Sequence, residues 1–244
     1  MISTVIGFRR QKTQMRTTVR DQLSGVVQEL NKVLFENQEL QTTLPVQQDS
    51  RFFRRSASIQ ESLATLCRQA TALIELAPEI VFDIEFSVLA RATEVVGDFP
   101  EAERYWKEAV KSSPTDYYRI INTRGYGAFS LRQGEHERGR RLFEEALSIW
   151  GNTTDFNKFA NGYTYQFWGS AEWWNSPGHG RADECFRNAK DIYETISGDA
   201  VKAQALRNLR STHPEPVPTG PSGPTGPADG GLERVRPPSY PPGR

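Results

Sequence analysis

The sequence predicts an all-α fold of stacked helical hairpins, and three observations predict it. One local pattern of apolar, small and turn-forming residues is read twice between residues 83 and 153. A heptad stripe of apolar positions precedes it, over residues 19–44. After Ser211 the periodicity stops: ten of the last 34 residues are proline and six are glycine, a composition that buries too little apolar surface to offset its ordering entropy.

The stripe comes first along the chain. Val19, Leu23, Val26, Leu30, Val33, Asn37, Leu40 and Leu44 alternate spacings of four and three, the seam of a heptad helix over residues 18–45. Asn37 places an amide in the seam, where a buried polar group fixes register at some cost in stability. Two readings follow: a parallel homodimer stalk, or an extra helix packed back on the repeats. Pro45 ends the helix because it lacks an N–H and disfavours helical geometry in the residue before it.

The next helix is expected over 56–77, as an N-terminal cap to the hairpins. Ser58-Ile59-Gln60-Glu61 spells a capping box, Leu63, Leu66, Cys67, Ala70, Leu73, Ile74 and Ala77 form one apolar face, and Pro78 closes it. In the first hairpin Leu89, Ala90, Gly97, Asp98, Phe99, Ala102, Trp106, Ala109 and Pro114 carry the pattern; in the second Tyr126, Gly127, Gly134, Glu135, Phe143 and Ala146 carry it. Gly97 and Gly134 mark the turns, Pro100 fits a helix first turn where its missing donor has no partner anyway, and small residues leave room for Trp106 and Phe143. A third unit over 157–197 repeats the spacing with Ala182, Phe186 and Ala189 after an expanded turn. Its first helix is rich in rings: Tyr163, Tyr165, Phe167, Trp168, Trp173 and Trp174. An amphipathic piece over 201–209 is expected to cap the stack.

These spacings resemble the tetratricopeptide repeat (TPR), about 34 residues of helix, turn and helix that stack because one pair cannot bury its apolar face alone. The resemblance implies a TPR-like right-handed helical-hairpin solenoid over 56–210, with the first helix of each hairpin lining a concave groove. Carrying the register over places Ser87 and Arg91 in that groove, then Arg124, Ala128 and Arg132, then Tyr165, Phe167 and Trp174. Chaperone-binding members of the family clamp a C-terminal carboxylate with lysine and asparagine; Ser87 and Ala128 do not match that clamp.

The remaining features bound the function. Lys+Arg 30 against Asp+Glu 30 argues against nucleic acid as a partner. The segment 1–17 is locally basic, with Arg9, Arg10, Lys12 and Arg16 and no acid. Its apolar start followed at once by arginines looks like the cytoplasmic edge of a membrane span, so an upstream transmembrane helix in a longer gene product is one expectation. Cytoplasmic placement, at the inner face of the membrane if that helix exists, goes with it. His136, His179 and His213 form no metal spacing, Cys67 and Cys185 read as buried thiols, and no GxSxG elbow or GxxxxGK[ST] loop occurs. The expectation is therefore not an enzyme but a scaffold without cofactor or metal, holding a protein or peptide. Arginines beside aromatic rings suit an acidic partner, because guanidinium pairs bidentately with carboxylate and stacks on rings. The alternative is a sensor whose third-repeat aromatics, around Trp168 and Trp174, bind a small ligand. The Pro/Gly-rich tail, 211–244, is expected to be disordered, and its PxxP spacings at Pro218, Pro221, Pro224 and Pro227 present either a polyproline II ligand or a passive linker.

Overall fold

Glycine and proline punctuate the chain where the helices break. The computed structural model describes residues 2–43, 50–176 and 179–212, and among them the secondary structure is helical throughout, with no strand. Nine α-helices follow in order: α1 (Ile2–Thr43), α2 (Ser50–Leu76), α3 (Asp83–Val96), α4 (Phe99–Lys111), α5 (Asp116–Arg132), α6 (His136–Ser148), α7 (Asp155–Asn175), α8 (Gly180–Glu194) and α9 (Asp199–Thr212). A 3-10 turn, Pro78–Ile80, joins α2 to α3. Pro45 and the tail from residue 213 on lie outside the described residues, as does part of the turn between α7 and α8.

The two hairpins read most clearly in the sequence end their first helices identically. Gly97 and Gly134 take left-handed backbone, at φ 91° and 80°. In one turn the N–H of Asp98 donates to Thr93 O at 3.0 Å and that of Gly97 to Glu94 O at 3.0 Å. In the other, Glu135 N–H donates to Ser130 O at 2.9 Å and Gly134 N–H to Leu131 O at 3.0 Å. Both satisfy carbonyls that the helix end would otherwise leave unpaired, in a geometry only glycine adopts cheaply. At the opposite end, Thr154 caps α7 by accepting the N–H of Asn157 at 3.1 Å.

Each helix packs on its successor, and α1, α3, α5, α7 and α9 each touch the next of that set. Trp106 and Phe143 are both buried, in different clusters of the core, and each reaches the first helix of the following hairpin. The Trp106 ring lies so close over Gly125 of α5 that a Cβ there would come within 2.5 Å of it. Phe143 lies over Gly127 of its own hairpin and stacks on Trp168 of α7 at 5.3 Å.

The heptad seam is covered within the chain. Leu23, Leu30 and Leu40 of α1 share one core with Ile59, Leu63, Cys67 and Ala70 of α2, and Asn37 is buried among them. Of the two sequence readings, the folded-back helix is the arrangement present here. Arg20 fastens this hairpin to the next: its guanidinium pairs with the buried carboxylate of Glu85, donates to Ile80 O at 3.1 Å and lies over the Phe82 ring. One local expectation fails. Ser58 and Glu61 lie inside α2, which begins at Ser50. Residues 51–57 contain no glycine or proline, so the helix runs through the spelled cap, and Ser58 simply faces solvent. Cys67 and Cys185 are free and buried in separate clusters, and burial pushes each thiol up to about 12.

Candidate functional site

Where α5 and α7 run side by side they present matching stripes. Tyr117, Ile120, Ile121 and Arg124 fall at positions i, i+3, i+4 and i+7 of α5, one face of a helix; Phe156, Phe159, Ala160 and Tyr163 do the same on α7. With Tyr193 of α8 and Asn208 of α9 they line a cleft of about 240 Å³. Its mouth is a cluster of rings: Trp150 stacks on Tyr117 at 6.0 Å and meets Phe156 at 5.4 Å. Tyr117 and Phe156 remain 44% and 58% exposed, a large outlay of apolar surface for positions that a polar residue could fill. At the floor Tyr193 is buried, and its hydroxyl donates to Gln166 Oε1 at 3.1 Å. The Gln166 amide in turn donates to Thr212 Oγ1 at 3.0 Å, which ties α9 into the same wall.

Arg124 is the charged side chain of this cleft. Its guanidinium carbon sits 4.7 Å from the centre of the Tyr163 ring and 5.2 Å from that of Phe167. Among the described residues it has neither a carboxylate partner nor a hydrogen bond. Burial pushes its pKa below the ordinary arginine value, and the groups acting in the other direction are the phenols of Tyr163, Tyr117 and Tyr193. A partly buried guanidinium against ring faces, with no counter-charge, recovers only part of its lost hydration through cation–π contact. An anion entering the cleft supplies what is missing.

The other sequence-predicted site residues divide. Phe167 lies 5.2 Å from the Arg124 guanidinium and is not among the residues lining the cleft. Arg91 is exposed on α3, its Nε donating to Ser87 O at 3.3 Å, and is not among the residues lining the cleft. Arg132 is engaged elsewhere: it pairs bidentately with Glu94 of α3 at 2.5 and 2.8 Å, a clamp between hairpins. Ala128 is buried in the core, not in the groove. Tyr165 is half-buried against Trp168, facing α8, so its ring belongs to the interior. Trp174 is 74% exposed while Trp168 is buried, with its indole N–H donated to Glu172, so these two rings form no common pocket. The rings that line the cleft are Tyr117, Phe156, Phe159, Tyr163 and Tyr193. Of these, Tyr163 lies within the aromatic first helix of the third unit, and the stripe shared by 117–124 and 156–163 is the sequence signal for Tyr117, Phe156 and Phe159.

A second cleft, of about 320 Å³, is lined by Glu137, Arg140, Arg141, Glu144 and Arg181. There Arg140 and Arg181 already hold acids: Arg140 pairs with Glu172 and Glu137, Arg181 with Glu184 and Glu144. His136 accepts or donates a hydrogen bond with Ser176 at 3.3 Å, and His179 stacks on Trp173 at 3.9 Å. Among the described residues no group of three or more metal-ligating side chains converges, and no helix is long and apolar enough to cross a membrane. Compared with family models, curated proteins and solved structures, the chain matches none, so the functional reading starts from this geometry.

Proposed function

We propose that the chain is a non-catalytic scaffold that holds an extended segment of a partner protein or peptide along its odd-numbered helices. In this reading α3 to α9 form a TPR-like right-handed solenoid and α1 is a heptad helix zipped to α2. The repeated glycine turns and the bridging rings Trp106 and Phe143 support the repeat reading. The observation that carries the function is Arg124, half-buried against the Tyr163 and Phe167 rings and without a carboxylate partner among the described residues. The contacting set is Arg124, Phe167 and Tyr163, with Arg91 one hairpin away. A small-molecule sensor is the weaker reading: the cleft, at about 240 Å³, falls below the roughly 300–1,000 Å³ of ligand pockets and opens onto an exposed ring cluster. The basic start of α1 adds placement at the inner membrane face to the proposal. A homodimer would have to use surfaces other than the seam, which α2 occupies.

The test is a selection from a displayed random-peptide library on the immobilised full chain. Enriched peptides should carry acidic residues and lose about tenfold or more in affinity for Arg124→Gln, with helicity by circular dichroism unchanged. Peptides that bind the variant as tightly as the wild type would place binding elsewhere.

A further inference from the structure

Granting the scaffold reading, the chemistry of the cleft narrows what it holds. Arg124 is the one charged residue among those lining it, so a bound group is neutralised by a single guanidinium. A carboxylate matches that charge and accepts the guanidinium fork bidentately; a dianionic phosphate carries one charge more than the cleft supplies. Beside Arg124 the walls are rings: Tyr163 under the guanidinium, then Phe156 and Tyr117, 6.1 Å apart and backed by Trp150. Aromatic-lined grooves of this kind accept polyproline II segments, whose pyrrolidine rings pack flat on aromatic faces and whose backbone is already extended before binding. The geometry points to a proline-flanked carboxylate, an Asp or Glu within a proline-rich peptide, as the ligand of the cleft.

The sequence of this same chain contains that composition at Pro214-Glu215-Pro216, which provides a probe and a source of self-competition to control. The experiment titrates a fluorescent, end-blocked His-Pro-Glu-Pro-Val-Pro peptide against the full chain and against its Glu215→Gln variant, by polarisation at pH 8. Parallel arms replace the peptide's Glu by Gln, its Glu by phosphoserine, or its prolines by alanine. The Glu peptide is expected to bind at least about tenfold tighter than the Gln peptide, and the difference should vanish in Arg124→Gln. It should also bind tighter than the alanine-flanked peptide. Binding seen with Glu215→Gln and not with the wild type supports the same chemistry, because the chain's own Glu215 then competes. Equal binding of Glu and Gln peptides overturns the carboxylate, tighter binding of the phosphoserine peptide overturns the single charge, and equal binding of the alanine-flanked peptide overturns the prolines. If every probe fails while library peptides still bind through Arg124, this inference falls and the scaffold stands; if both fail, the scaffold falls as well.

Discussion

Glu172 is fully buried in α7, and its carboxylate is surrounded by donors: Arg140 Nε at 2.8 Å and Nη2 at 3.2 Å, the Trp168 indole at 3.1 Å, and the Ser176 hydroxyl. Burial alone would raise its pKa; the donated hydrogen bonds of Arg140, Ser176 and Trp168 together outweigh burial and hold it below the ordinary value. A depressed folded pKa means a contribution present at neutral pH and lost as the pH falls through that lowered value. Glu172→Gln should therefore cost about 3 kcal/mol in urea unfolding at pH 7, by leaving Arg140 without its buried partner, and the penalty should shrink on acidification. Gly125→Ala tests close packing in the same way: alanine favours the helix by about 1 kcal/mol, yet its methyl would overlap the Trp106 ring, so a net loss of about 1–3 kcal/mol is expected. At this scale Arg124 and Phe167 were legible because helix register alone orients them. Arg132 and Tyr165 were not, because whether an arginine meets Glu94 or a ring meets Trp168 depends on a neighbouring helix that periodicity does not locate.

Among the elements, the helices were legible from 3.6-residue stripes and their breakers, down to the two glycine turns. The start of α2 was not, since a capping box needs extended backbone at its serine and nothing after Ser50 interrupts the helix. The partner of the α1 seam could not be read either, because a heptad stripe states that a face is buried without stating by what. With the seam closed by α2, Leu30→Ala should cost about 3 kcal/mol, and the unfolding midpoint should not change with protein concentration. A midpoint that rises with concentration would show a second chain in the seam. Before that hairpin packing begins, residues 13–18 of α1 are exposed, with an Arg16–Glu79 ion pair tying them to the rest of the chain. Their amides should exchange with solvent far faster than those of α5, since no buried apolar side chain anchors that stretch of helix.

Across the whole molecule, each helix is held mainly by neighbours close in sequence, so stability is assembled locally and passed from hairpin to hairpin. The buried sulfurs make that division readable. Cys67 lies in α2 and Cys185 in α8, toward opposite ends of the array, and neither thiol ionises near neutral pH. An alkylating reagent must wait for the surrounding helices to part, so labelling speed at each sulfur clocks the opening of its own end. Followed by mass spectrometry in mild denaturant, two different speeds would reveal fraying from one terminus, and one shared speed a molecule that opens as a unit.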